Sequence, residues 1–237
     1  MNEPIYSAEF ILLCIIQMVT IGFSVISFIH SFKQYLRIDP SEVILRKSVK
    51  YFTFIFITIC CAALFSLACN FFYLVTSNGI IAGYLYAAAT TMILVNVFCA
   101  WQFITYLIHP ERRPTKYIIG SYCLIGIILL WCFAPIVFSG GWVPNSENMG
   151  LYVYIWIIFA FVWGVFTIDF IRNSLKSTEK KEKYRFFCMG LSGVFAFLMF
   201  PLTPLGQIFP WMMILAGTIL LYLGYNFPHF FQRFLKV

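Results

Sequence analysis

The sequence predicts an all-α fold, a polytopic integral membrane bundle of seven helices with the N-terminus outside and the C-terminus in the cytoplasm. Three observations predict it. Of 237 residues, 62% are hydrophobic and only 11% charged, against about 45–50% and 25% in soluble domains, so lipid is the natural solvent. The apolar residues gather into seven stretches, at about 8–31, 50–76, 80–107, 117–138, 151–172, 186–205 and 208–230, close to the roughly 20 residues that a crossing needs. Lys and Arg alternate in register with these stretches. All 16 fall after stretches 1, 3 and 5, on the adjoining helix ends or on the tail, and the positive-inside rule assigns that side to the cytoplasm. Residues 1–237 read as a single domain.

The elements follow in order. The opening MNEPIYSAEF lacks the basic region of a cleavable signal, so the first stretch is expected to remain as a span. Gln17, Thr20, Ser24 and Ser27 form a polar stripe along it, which should face neighbouring helices. In RIDPSEVILRK, Asp39 is predicted to cap the second helix, with Pro40 at its first position and Glu42 at capping-box spacing. Gly79, Gly83, Ala87 and Thr91 recur every four residues on span 3 and permit close helix approach. IHPERRPTK reads as a tight corner, because Pro110 and Pro114 oppose helix continuation.

Pro135 weakens span 4, and SGGWVPNSENMG connects it to span 5. Span 5 runs into IRNSLKSTEKKEKYRF, which predicts a charged hairpin with span 6 on the cytoplasmic side. Gly190 and Gly193 open span 6, and Pro201 and Pro204 break it. Trp142 and Trp211 flank Pro135, Pro201 and Pro204, as cavity walls or as interface anchors. Thr218, Tyr222 and Asn226 form the polar stripe of span 7.

Several chemistries are excluded or set aside. Span 7 has no lysine and span 3 no acid, so a retinal Schiff base with its counter-ion is excluded. No ionisable residue lies near mid-membrane, which argues against a charged proton relay. The eight cysteines all fall within spans, so no structural disulfide is expected. Neither a metal site nor a cofactor is expected from their spacing. His30, His109 and His229 share one depth near the cytoplasmic ends of spans 1, 3 and 7, where interfacial contacts are the ordinary role. GLSGVF at 190–195 contains the GxSG motif of rhomboid intramembrane proteases, with His229 as the only downstream histidine. Ser192 would lie close to the cytoplasm, whereas rhomboids place their serine near the outer face, so helix packing is the expected role. The net charge of +7 calls for no nucleic acid, since these cations orient the chain and meet anionic lipid.

RNSLKSTEKKEKYRFFCMGLSGVF and the closing LYLGYNFPHFFQRFLKV resemble the N-terminal seven-helix sensor region of membrane histidine kinases. In that family the last span continues into a signalling domain. The sequence here stops at Val237 and contains no phosphoacceptor histidine box, so any signal is expected to pass to a separate polypeptide. The resulting expectation is a non-enzymatic, receptor- or sensor-like or scaffold subunit in the cell membrane. A protein partner in trans would meet Lys180, Lys181, Lys183 and Arg185. A small apolar or amphipathic ligand would meet Gln17, Asn70, Thr91, Asn96, Trp211 and Asn226. The alternative is a permease or lipid-handling protein, with Gln17, Asn70, Thr91, Asn96 and Asn226 along its path. A second alternative is a serine hydrolase using Ser192 and His229.

Overall fold

The first helix, α1 (Ala8–Arg37), is sorted by face in the opposite sense to a helix in water. Gln17, Thr20, Ser24, Ser27 and Ser31 are all 0% exposed, while Leu12, Ile15, Met18, Val19, Ile26 and Ile29 face outward. In water this arrangement would leave a broad apolar face solvated. In lipid it is the favourable one, because the apolar side chains meet the lipid and the polar ones turn away from it. Thr20 Oγ1 donates to Ile16 O and Ser27 Oγ to Phe23 O, each at 2.8 Å. These hydroxyls satisfy themselves on their own helix, as Ser and Thr do mid-helix.

The computed structural model describes residues 8–76, 79–137, 149–199 and 201–235. The connections at 77–78 and 138–148, with Trp142, and the side chains of Pro135, Pro204 and His229 lie outside the described residues. After α1 come α2 (Val43–Thr76), α3 (Gly79–Leu107) and a 3-10 corner at Pro110–Thr115. The chain continues through α4 (Lys116–Val137), α5 (Met149–Lys176) and α6 (Lys180–Leu198). A 3-10 turn at Thr203–Leu205, α7 (Ile208–Asn226) and a short α8 (His229–Phe234) complete it. No strand occurs among the described residues.

From α1 to α7 each helix packs on the next, and α7 returns to α1 to close a ring. α3 also packs on α5 and so lies innermost. Its Leu94, Val97, Ala100 and Phe103 are 0% exposed, among Phe52 and Phe56 of α2 and Phe166 and Phe170 of α5. The Phe103 and Phe170 rings stack at 6.2 Å. Cys69 Sγ donates to Ala82 O at 3.1 Å across the α2–α3 seam. Small residues make that seam close, with Ala82, Ala87 and Ala89 all buried.

Among the described residues six helices, α1 to α5 and α7, are long and apolar enough to cross a membrane. The exception is α6, which begins KKEKYR. Its apolar part, Phe186 to Leu198, is about 13 residues, or roughly 20 Å at 1.5 Å per residue. That is about 10 Å short of a hydrocarbon core.

Three boundaries depart from the sequence expectation. α2 begins at Val43, because Asp39 does not cap it. Asp39 Oδ1 instead accepts from Ser41 N at 2.8 Å and Ser41 Oγ at 2.7 Å, a local turn that competes with the helix start. Those two bonds hold the exposed Asp39 carboxyl below the usual carboxylate range. Span 6 ends as a helix at Leu198, not near 205, since the ring of Pro201 would clash with the carbonyl four residues before it. Span 7 ends at Asn226, not near 230. Pro228 disfavours the α conformation at the preceding residue, and Phe227 takes a left-handed φ of 42° while its N–H still reaches Leu223 O at 2.9 Å.

Candidate functional site

Glycines set how closely α6 approaches its neighbours. A Cβ on Gly190 would stand 2.6 Å from Ile171 Cγ1, and one on Gly193 would collide with Thr167 Oγ1, both on α5. On the other side, a Cβ on Gly224 of α7 would lie 2.8 Å from Arg185 O and 2.9 Å from Met189 N. The same seam is closed at its charged end by Arg185. Its Nε donates to Gly224 O at 3.3 Å and its Nη2 to Tyr225 O at 3.0 Å. A guanidinium there satisfies the unpaired carbonyls of a helix C-terminus and complements its dipole.

Farther along the bundle the packing loosens, and a cavity of about 50 Å³ lies between α2, α3, α5, α6 and α7. Thr58, Asn96, Trp163, Ser192, Trp211 and Thr218 are the polar-bearing side chains in a wall that is otherwise carbon. A second chamber of about 70 Å³ adjoins it, toward the α6–α7 connection, and Ile93, Met199, Trp211 and Ile214 line both. Asn96 Nδ2 donates to Ile55 O and Thr58 Oγ1, each at 3.0 Å. Ser192 Oγ donates to Met189 O at 2.6 Å and Thr218 Oγ1 to Ile214 O at 2.7 Å. Trp163, only 4% exposed, has an indole N–H with no hydrogen-bond partner.

The six residues singled out as ligand contacts therefore separate. Asn96 and Trp211 meet at the cavity. Gln17 and Asn70 belong to a buried knot between α1 and α2, where Gln17 Nε2 donates to Ser66 Oγ at 2.8 Å and Asn70 Nδ2 to Gln17 Oε1 at 3.2 Å. Thr91 faces α4, its hydroxyl donating to Ala87 O and accepting from Trp131 Nε1 at 3.1 Å. Asn226 sits at the charged end, its Oδ1 accepting from Gln34 Nε2 at 2.9 Å. The basic run separates too: Lys180, Lys181 and Lys183 are exposed, whereas Arg185 is half-buried and engaged with α7.

The two histidines with described side chains, His30 and His109, have separate partners. His30 packs edge-on against Tyr222 at 5.8 Å. His109 lies between two carboxylates, Nδ1 2.9 Å from Glu111 Oε1 and Nε2 2.9 Å from Asp169 Oδ2. The acids stand on opposite edges of the ring, an arrangement that ties α3 to α5 and leaves no common point for a metal. The Glu111 carboxyl is held below its usual range by its own backbone N–H and, beyond that, by His109 and Arg112. Neither this bridge nor Trp163 stood out in the sequence. His109 and Asp169 are 60 residues apart, and only their shared position at helix ends near basic residues hinted at a contact. Comparison with protein-family models, curated proteins and solved structures gives no match.

Proposed function

We propose that this chain is a non-enzymatic, receptor-like membrane protein whose interior takes a small neutral ligand and whose basic end acts on a separate protein. In this reading the chain crosses the membrane seven times, the residues that follow α6 completing the sixth crossing. The N-terminus is outside and the three exposed lysines of α6 face the cytoplasm. The observation that carries the reading is that α6 and α7 wall the cavity at one end and are joined through Arg185 at the other. A ligand that repositions these helices would thereby move the lysine-bearing end of α6, and it shifts the equilibrium only as far as it prefers one arrangement. The Ser192 hydroxyl, already donated to Met189 O, is better explained by packing than by catalysis.

The test is native mass spectrometry of the protein extracted from its own membrane, with Lys180→Glu, Lys181→Glu and Lys183→Glu combined in a second sample. A stoichiometric partner that is lost from the triple variant supports the reading. A protein that emerges alone, and that carries a neutral solute into proteoliposomes, would replace it with the permease reading.

A further inference from the structure

The polar groups in the cavity wall restrict what the cavity can hold. The hydroxyls of Thr58, Ser192 and Thr218 and the Asn96 amide already donate to atoms of the protein. Trp163 differs from them. Its ring packs between Phe159 at 6.1 Å and Phe166 at 5.0 Å, and its N–H, buried in the same wall, donates to nothing. A buried donor without an acceptor is unfavourable, and a ligand carrying an acceptor would relieve that cost.

Among the described residues, no side chain in the wall of either chamber is charged. A cation would therefore meet no counter-charge, and an anion would find only neutral donors, which do not offset its desolvation. Size narrows the class further. A cavity of about 150 Å³ is what accepts a benzene-sized molecule. The 50 Å³ chamber is too small for this by itself, and with the 70 Å³ chamber it approaches that volume. Met199 and Ile214 stand in the shared wall, and an unbranched Met side chain repacks readily.

Resting on the receptor-like reading, we propose that the two chambers open into one site for a neutral, mainly apolar molecule of about six to eight heavy atoms bearing a single hydrogen-bond acceptor, which the Trp163 indole N–H binds. Ketones, esters and ethers of that size form the class. Trp163 is the specificity-determining contact, and Met199 with Trp211 forms the partition that moves aside.

Cyclohexanone and methylenecyclohexane form a suitable probe pair, because they share a shape and differ in the acceptor. The full chain in phosphatidylcholine nanodiscs is titrated with each while its unfolding temperature is followed. Trp163→Phe keeps the aromatic ring and removes the N–H, and Ala62→Leu fills the first chamber. The expected result is a saturable rise with both probes, cyclohexanone binding about five- to ten-fold more tightly. That preference should vanish in Trp163→Phe, and saturation by either probe should vanish in Ala62→Leu. Equal affinities in the unaltered chain would overturn the acceptor assignment while leaving an interior ligand cavity standing. Non-saturable shifts, unchanged by Ala62→Leu, would overturn the cavity and the receptor-like reading with it.

Discussion

Glycines that look alike in the sequence have unlike roles in the bundle. At Gly224 an added methyl would press on Arg185 O and Met189 N, which are backbone atoms of α6 and cannot swing away. At Gly22 the same methyl would meet nothing within 4 Å. Gly224→Ala is therefore expected to destabilise by about 1–3 kcal/mol through overpacking. Gly22→Ala is expected to be neutral or to stabilise by up to about 1 kcal/mol, through helix propensity alone. Reversible unfolding in mixed micelles measures both, and equal effects at the two sites would contradict the close α6–α7 approach. The same distinction separates Arg185 from its neighbours Lys180, Lys181 and Lys183: one cation is engaged with backbone carbonyls, and three are exposed.

Between helices, hydrophobic burial gives little driving force, because lipid is as apolar as a leucine side chain. Close packing and polar contacts must decide which helices adhere. α6 has the shortest apolar stretch among the long helices, yet it is gripped on both sides by glycine seams and anchored by the Arg185 fork. Arg185→Gln is expected to loosen the charged end of the α6–α7 pair by about 1.5–3 kcal/mol, the scale of charge-assisted hydrogen bonds. Hydrogen exchange of the last turn of α7 should rise about ten-fold or more, while exchange at the α1–α2 knot of Gln17, Ser66 and Asn70 stays unchanged. Uniform acceleration would point instead to global destabilisation.

At the scale of the whole molecule, the ends of the helices that carry Lys and Arg come together. Gln34 meets Asn226, Lys47 lies over the Tyr106 ring at 5.8 Å, and His109 meets Asp169. Under the proposed orientation that end faces the cytoplasm. Cysteines introduced as Asn145→Cys and Lys181→Cys test it with an impermeant maleimide. Labelling of Asn145→Cys in intact cells, and of Lys181→Cys only after lysis, is the expected pattern, and the reverse pattern would invert the topology.

What the sequence determined by itself was whatever depends on local pattern. Apolar length marked the helices, and the polar stripe from Gln17 to Ser27 named the inward face of α1, because a period of 3.6 residues puts such side chains on one side. The alternation of basic connections pointed to the shared basic end in the same way. Helix ends were less legible: the Asp39 turn and the left-handed Phe227 are local competitions won by small margins. The cavity, the His109–Asp169 bridge and the Arg185 fork were decided by tertiary structure alone. Each joins residues tens of positions apart, and the cavity and the fork depend on how closely glycines let α6 approach its neighbours. Trp163 shows the difference most plainly. In the sequence it is one aromatic residue among many in an apolar helix, and only the packing of α5 among its neighbours buries its N–H without a partner in a residue that lines a cavity.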